Sequence, residues 1–416
     1  MRPTQQRQRG NDADEIWIHV ILAPIFFVLW SLSTWRIHDI PNKQHVALTL
    51  IGILAIFFAP SGLVKRIRIP TAMVLFVFWA YLSKYWSAFP AGFDEAFRHH
   101  FLDIPVVMGI ATVLGSRKII SLSLKIFYVV VPYTYFYSIT HAEARQLTNE
   151  VNTVRSPSWH GAFIHKNVML SYFAFGIIVM LTFEKRKWIK FTYLALTMAM
   201  IMLSRSSTGL VIPVVLIVTY LWARSYQRSS DRRLLGFLTF VATAVLIVAT
   251  QAILPLIASA VGKDLTFTGR TEIWSAVIRQ IAKRPWQGFG LDGVWKNPSI
   301  APTNEIYTDV KFSVANAHNG ILDVMLQLGI VGATFLVVFT VQLWRRGIRL
   351  VRQFDPIGML IIMVCASQIF LSISESFLLS GIPAVMTLLY CVVPSEGLSA
   401  HQIGHQTSDS TSISAH

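Results

Sequence analysis

The sequence places an imidazole where a long apolar run begins. His318 lies in "VANAHNGILDVMLQLGIVG", with Asn319 directly after it. A neutral imidazole within reach of a hydroxyl group can remove its proton as a general base. The alternative interpretation is structural, with His318 as part of a polar helix start and Asn316 or Asn319 as the N-cap.

A second residue that could do chemistry is Arg205 in "IMLSRSSTGLV". This stretch leaves almost no loop between two apolar runs. An ionisable side chain held at such a boundary usually faces the interior of a helix bundle or a wet cavity. Arg205 is surrounded by hydroxyl groups that suit phosphate oxygens, from Ser204, Ser206, Ser207 and Thr208. The competing interpretation is a cation that snorkels to the lipid headgroups.

The third candidate is Arg270 in "TGRTEIWSAVIRQIAKRPWQGFG". Apolar residues at 273, 274, 277, 278 and 281 have helical spacing, with Arg279, Lys283 and Arg284 on other faces. This pattern predicts an amphipathic helix lying on anionic headgroups. Arg270 would stand at its N-terminal end, capped by Thr268 or Thr271, where backbone N–H groups and the helix dipole favour an anion.

These three segments predict one site if the chain brings them together. Two guanidinium groups, Arg205 and Arg270, would bind a diphosphate in a bidentate manner. Their positive field would keep the imidazole of His318 neutral, as a general base requires.

The elements that must position these residues are membrane helices. Only 14% of the 416 residues are charged and 54% are hydrophobic, whereas soluble domains carry about 25% charged residues. Backbone polar groups in lipid must be satisfied within the segment, so we expect an all-α polytopic membrane protein. About twelve spans (ten to twelve) are predicted, at 16–34, 45–60, 70–83, 101–115, 119–140, 167–183, 188–203, 208–223, 234–257, 318–343, 356–373 and 378–393.

The distribution of basic residues predicts the orientation. Lys and Arg are concentrated in alternate short loops, which indicates that these loops and both termini are cytoplasmic. The net charge of +15 is spread through those loops, which favours topology control over nucleic-acid binding. The predicted organisation is a cytoplasmic tail (1–15), nine spans (16–257), a long periplasmic loop (258–317), three spans (318–393) and a disordered cytoplasmic tail (394–416).

Other motifs are weaker. "GFGLDG" matches a dinucleotide-binding pattern but lacks the preceding strand and the following helix. No metal-ligand spacing accompanies His99, His100, His160 or His165, and both cysteines lie in apolar runs. We therefore expect neither a metal nor a cofactor.

Taken together, "LSRSSTGL", "TGRTEIW…RPWQGFG" and "AHNGILDVMLQLGIVG" resemble the O-antigen ligase/polymerase superfamily of the Wzy and WaaL type, over roughly residues 150–345. "WHGAFIHKN" is similar to its exopolysaccharide-polymerase branch. The resemblance implies a GT-C-like, metal-independent glycosyltransferase of the bacterial inner membrane, with its active site facing the periplasm. The donor would be a glycan on polyprenyl diphosphate, and the acceptor a glycan or lipid A-core.

The resemblance also implies roles for individual residues. Arg205 and Arg270 would bind the donor diphosphate, and His318 would take the proton of the acceptor hydroxyl. Further substrate contacts are expected from Arg155, His165, Lys166, Asn167, Arg279 and Asn319. Chain-length regulators and a flippase are expected partners, besides the membrane lipids.

Three functions remain open from the sequence. "FIHKN" favours a polymerase of lipid-linked repeat units over a ligase that moves the finished glycan. A transporter or flippase is the third, but it predicts ionisable residues in mid-span and two matching halves with broken helices. The charges here lie at the outer boundary, which favours glycosyl transfer.

Overall fold

A computed structural model describes residues 3–34, 42–145, 158–229, 270–379 and 382–392. These residues form helices, short 3₁₀ turns and loops, and no β-strand occurs among them. The helices are α1 (Pro3–Thr34), α2 (Asn42–Phe57), α3 (Ser61–Val64), α4 (Thr71–Leu82), α5 (Phe93–Phe101), α6 (Asp103–Thr140), α7 (Lys166–Phe183), α8 (Lys187–Leu203), α9 (Ser207–Arg228), α10 (Arg270–Lys283), α11 (Thr303–Val310), α12 (Gly320–Arg352), α13 (Pro356–Ser374) and α14 (Ile382–Cys391).

The protein is a multi-pass membrane protein. Within the described residues, 5 helical segments are long and apolar enough to cross a bilayer: Pro90–Thr140, Lys166–Phe183, Thr208–Arg228, Gly320–Arg352 and Pro356–Ser374. Shorter apolar helices cover Ile18–Thr34, Val46–Phe57, Thr71–Tyr85 and Ile382–Cys391. Helices therefore lie at the predicted spans except 234–257, which falls outside the described residues. The number of spans stays a prediction.

Two boundaries differ from those predicted. Helix α1 begins at Pro3, so part of the predicted polar tail, 1–15, continues directly into the first apolar helix. The predicted spans 101–115 and 119–140 form one helical element, α6, interrupted only at Gly115 (φ 67°, ψ 170°). A single glycine is sufficient for this interruption because it adopts positive φ without a Cβ clash.

The core of the bundle lies around α7 and α13. In each of these helices 72% of the most apolar stretch is buried, compared with 28% in α9, which lies at the periphery. Helix α13 packs against α7, α9 and α12. Its Gly358 approaches α12 so closely that a Cβ atom there would lie 2.8 Å from the carbonyl oxygen of Gly347. Small residues at such crossings are typical of helix packing in membranes.

Helix α12 is interrupted at Gly329 (φ 67°, ψ −172°), and the segment after α10 packs into the interruption. Four backbone hydrogen bonds join the two: Phe289 N–H to Leu326 C=O (2.9 Å), Gly290 N–H to Gln327 C=O (2.8 Å), Ile330 N–H to Pro285 C=O (2.8 Å) and Val331 N–H to Trp286 C=O (3.3 Å). The groups that the broken helix leaves unpaired are thus satisfied by the loop. This junction fixes α10 relative to α12.

The apolar face of α10 is buried against protein. It forms a cluster with α11, α12 and the loop before α12: Ile273, Ala276, Val277, Ile281, Ile306, Val310, Ala317 and Leu326. Two of its cations are paired with carboxylates of α11, Lys283 with Glu305 and Arg279 with Asp309. A second helix of the same loop therefore covers most of the apolar stripe, although Ile278 is 54% exposed. That the helix lies on anionic headgroups stays a prediction.

Candidate active site

The structure brings Arg270 and His318 to one carboxylate that the sequence analysis missed. Glu375 Oε1 lies 3.6 Å from a terminal guanidinium nitrogen of Arg270. Glu375 Oε2 lies 3.9 Å from Nδ1 of His318. The Glu375 side chain is only 7% exposed, whereas those of Arg270 and His318 are 24% and 34% exposed. The carboxylate is thus buried beneath two side chains that solvent or substrate can reach.

Three separate elements deliver these side chains. Arg270 is the first described residue of α10, and the indole of Trp274 one turn later donates a 3.0 Å hydrogen bond to Ala317 C=O. That bond ties the start of α10 to the residue before His318. Glu375 follows the last residue of α13, and its backbone N–H donates to Leu371 C=O at 2.8 Å. The carboxylate position is therefore set by a rigid helix end.

His318 stands outside the helix that follows it. Asn319 is the N-cap of α12, and its side-chain oxygen accepts from the N–H groups of Ile321 and Leu322 at 3.1 Å. His318 has a φ of 47°, and its N–H donates to the side-chain oxygen of Asn316 at 2.9 Å. A left-handed backbone at a non-glycine residue costs free energy and is concentrated at functional sites. The two asparagines therefore hold the strained residue and cap the helix.

The start of α12 and the end of α13 are in close contact. A Cβ atom on Gly320 would lie 3.2 Å from the carbonyl oxygen of Glu375 and 3.0 Å from the Leu378 side chain. A larger residue at this position would require its neighbours to shift by a few tenths of an ångström. The contact therefore sets the separation between His318 and Glu375.

Arg205 lies in the turn between α8 and α9, also with positive φ (51°). Its side chain is exposed, and among the described residues no carboxylate is within ion-pair distance of its guanidinium. Ser206 caps α9 by accepting from Gly209 N–H at 3.4 Å. The next residue but one, Thr208, contacts the Ser374 hydroxyl at 3.4 Å. Arg205 is therefore placed at the same end of the bundle as Glu375, which directly follows Ser374.

The start of α7 lies at this end too. His165 is its N-cap, with Nδ1 accepting from Asn167 N–H at 3.2 Å, and both Lys166 and Asn167 are buried. A Cβ atom on Gly209 of α9 would lie 2.7 Å from Leu170 of α7. The predicted substrate contacts in this motif therefore adjoin the Arg205 turn, with His165 engaged in helix capping.

The remaining predicted substrate contacts are Arg279, Asn319 and Arg155. Arg279 donates to Asp309 at 2.8 Å and lines a groove between α10 and α11, away from the first turn of α10. Asn319 uses its side-chain oxygen to cap α12. Arg155 falls outside the described residues.

The glycine-rich motif "GFGLDG" belongs to the loop that supports the site. Burial raises the pKa of its Asp292 carboxyl above the usual range, although Lys296 lies 3.5 Å away. His100 Nε2 is 3.9 Å from the same carboxylate. Among the described residues no group of three His, Cys, Asp or Glu side chains could hold a metal ion. This cluster therefore joins α5 to the loop.

A signal for Glu375 was present in the sequence. "SISESF" places an ionisable residue directly after the predicted span 356–373, which is the same pattern that singled out Arg205. The predicted topology indicated the side of the membrane on which Glu375 lies. It did not indicate that Glu375 pairs with Arg270 and His318.

Residues 191–337 match the O-antigen ligase family (Wzy_C). The matched region runs from α8 into α12 and contains Arg205, Arg270 and His318. The chain has no match among curated proteins. The resemblance to the O-antigen ligase/polymerase superfamily is therefore confirmed over this region.

Proposed function

Starting from the O-antigen ligase match, we propose that the protein is a membrane glycosyltransferase acting on a glycan linked to polyprenyl diphosphate. The reaction joins such lipid-linked repeat units into an exopolysaccharide or O-antigen chain. It takes place at the periplasmic face of the bacterial inner membrane, with both termini of the protein in the cytoplasm.

One observation carries this proposal. Arg270 and His318 face the two oxygens of a single carboxylate, at 3.6 Å and 3.9 Å. A guanidinium and an imidazole placed in this way favour a negatively charged oxygen group between them, which supports the proposal. A donor phosphate suits the same partners as a carboxylate, because guanidinium donors fit either group in a bidentate geometry.

The proposed chemistry gives a role to each of His318, Arg270 and Arg205. His318 accepts the proton of the acceptor hydroxyl as its oxygen attacks the anomeric carbon of the donor sugar. The bond from that carbon to the diphosphate breaks, and the diphosphate leaves with the electron pair. Arg270 and Arg205 stabilise the charge that develops on the leaving group, an effect that is strongest where water is partly excluded.

The surroundings of the site support a lipid-linked donor. The peripheral helix α9, whose N-cap Ser206 directly follows Arg205, exposes a row of large apolar side chains: Leu210, Val211, Val214, Ile217, Val218 and Leu221. Exposed apolar faces of this kind suit contact with lipid. A diphosphate at the Arg205 turn can thus be held by protein while its polyprenyl tail stays in the bilayer.

A ligase is the second candidate. It is favoured by the description of the matching family as O-antigen ligase, whereas the polymerase is favoured by the "FIHKN" motif at the start of α7. In the ligase reaction the acceptor is lipid A-core, and the donor carries the finished glycan. Both reactions use the same proton transfer and the same leaving group.

The test compares the surface glycans of a deletion strain that expresses the wild type, His318→Ala, Arg270→Ala or Lys283→Ala. Lys283 is the matched control, because it is a cation of α10 that is also paired with a glutamate. We expect both site variants to lose about 100-fold or more of the transfer activity. We expect Lys283→Ala to retain it, and the chelator EDTA to leave wild-type transfer in isolated membranes unchanged.

The accumulated product separates the two candidates. Single repeat units on the lipid carrier or on the acceptor indicate a polymerase, and long polymer left on the carrier indicates a ligase. A wild-type glycan profile in both site variants, with their presence in the membrane verified, would refute the proposed catalytic roles.

A further inference from the structure

We infer that Glu375 is a positioning residue that serves two partners in turn. It holds Arg270 while the donor is absent, and it supports the protonated His318 after the donor diphosphate has taken Arg270. This inference rests on the proposed function, and it adds a residue outside the region that matches the family.

The geometry of the Glu375 carboxylate allows it to exchange partners. Each oxygen has its own partner, Oε1 with Arg270 and Oε2 with His318. Both separations exceed hydrogen-bonding distance, so the two contacts are electrostatic and can be exchanged without breaking a short bond. The buried Nδ1 of His318 makes no hydrogen bond within the described part of the chain. It is therefore available to Glu375 when the carboxylate moves closer.

Arg270 can pass from Glu375 to the donor diphosphate. A guanidinium paired with a carboxylate is already oriented to receive a phosphate, because both ligands use the same planar set of donors. The diphosphate must displace Glu375 from Arg270, so the carboxylate lowers the affinity for the donor. In return the charge of Arg270 is never left unpaired beside the buried acid.

Glu375 can support His318 after the proton transfer. With Nδ1 facing the carboxylate, Nε2 is the nitrogen that accepts the proton from the acceptor hydroxyl. Proton transfer makes the ring an imidazolium, and a neighbouring carboxylate stabilises that cation and fixes its orientation. The proton is later released to solvent.

Burial and attachment support a functional reason for the carboxylate. A carboxyl side chain that is 7% exposed needs partners that compensate for its lost hydration. Its position is fixed by the end of α13, whose side chains are among the most buried in the bundle. The partners at ion-pair distance, within the described part of the chain, are the two predicted site residues.

The binding arm of the experiment uses undecaprenyl diphosphate as the probe for the purified full-length protein in detergent. We expect Glu375→Gln to bind this probe about 3-fold to 10-fold more tightly than the wild type, because the competing charge is gone. In an Arg270→Ala background the same change should have no effect on affinity. An equal effect in both backgrounds would mean that Glu375 does not compete for Arg270.

The kinetic arm uses lipid-linked glycan purified from the deletion strain. For Glu375→Gln we expect kcat to fall about 10-fold to 100-fold while KM for the donor stays equal or decreases. Glu375→Asp, which keeps the charge, should recover part of the lost kcat. Glu305→Gln is the matched control, since it removes a carboxylate paired with a cation of the same helix, α10, at a distance from the site.

The outcomes separate this inference from the proposed function. Wild-type kcat and KM in Glu375→Gln, combined with inactive His318→Ala, would overturn the role of Glu375 alone. Active His318→Ala would overturn the proposed function. A merely structural role would lower kcat in Glu375→Gln and Glu375→Asp alike and would weaken probe binding, which would also overturn the inference.

Discussion

Replacing Gly329 by alanine should destabilise the protein more than the same replacement at Gly115. The two glycines interrupt α12 and α6 with nearly the same backbone conformation, φ 67° and ψ −172° against φ 67° and ψ 170°. They differ in their surroundings. A Cβ atom on Gly115 would meet nothing within 4 Å, whereas one on Gly329 would lie 2.2 Å from the carbonyl oxygen of Trp286.

The expected magnitude follows from two separate costs. Any L-residue in this glycine-specific backbone region costs about 1–3 kcal/mol, and both variants incur that cost. Gly329→Ala also forces the backbone of 285–287 away from α12, which costs about 1–3 kcal/mol as overpacking. The loss of any of the four junction hydrogen bonds adds about 1 kcal/mol each. The difference between the variants is therefore at least about 1–3 kcal/mol.

The measurement is thermal unfolding of the two purified variants and the wild type in the same detergent, together with glycan transfer. We expect Gly329→Ala to unfold several degrees below Gly115→Ala, at about 2–4 °C for each kcal/mol. Transfer should decrease in Gly329→Ala, because the displaced loop carries α10 and hence Arg270. Gly62→Ala, where a Cβ atom also meets nothing within 4 Å and the backbone has no positive φ, is the neutral control.

Equal unfolding temperatures for Gly329→Ala and Gly115→Ala would refute this reasoning. They would mean that the close approach of the loop to α12 contributes nothing to stability. An unfolding temperature of Gly115→Ala equal to that of the wild type would refute the assigned conformational cost.

Two further predictions concern the support of the site and the opposite end of α7. Trp274→Phe removes the 3.0 Å hydrogen bond to Ala317 C=O, worth about 1 kcal/mol, and should lower kcat by up to about 10-fold. The control, Trp286→Phe, changes an exposed indole and should leave kcat unchanged. Equal kcat values for the two variants would mean that the hydrogen bond from Trp274 does not help to position the site. Hydrogen bonding from Arg186 lowers the pKa of Glu184 to about 2, from a usual 4.5, so its contribution is complete above pH 4.5 and is lost as the pH falls toward 2. Glu184→Gln should therefore cost about 1–3 kcal/mol at pH 7, and its unfolding temperature should converge with that of the wild type in acid. A constant difference across the pH range would contradict the ion pair.

Much of the fold could be predicted from hydropathy. Helices lie where apolar runs are long enough for a bilayer, because a backbone in lipid must satisfy its own hydrogen bonds. The helix that begins at Arg270 was predicted from its periodicity. Its surroundings were not predicted, because most of its apolar stripe is covered by α11, a short helix that the sequence analysis did not identify.

Part of the candidate site could also be predicted from the sequence. Arg205 and His318 were singled out because charged or titratable side chains at the ends of apolar segments are costly unless they have a use. Arg270 was singled out because it stands at the predicted N-terminal end of an amphipathic helix. His165 and Asn319 were predicted as substrate contacts, and Asn319 also as a candidate N-cap; the structure shows both as N-caps, and the substrate contacts stay a prediction. A helix cap and a substrate ligand present the same residue types in a sequence, so only coordinates separate them.

The sequence by itself determined which chemical groups stand at the ends of the helices: two guanidiniums, an imidazole and, in "SISESF", a carboxylate. Only the tertiary structure decided that Glu375 lies between Arg270 and His318, with one oxygen toward each. The reason is physical. The three residues come from helices far apart along the chain, and their separation is fixed by the packing of α10, α12 and α13, which no local pattern of residues encodes.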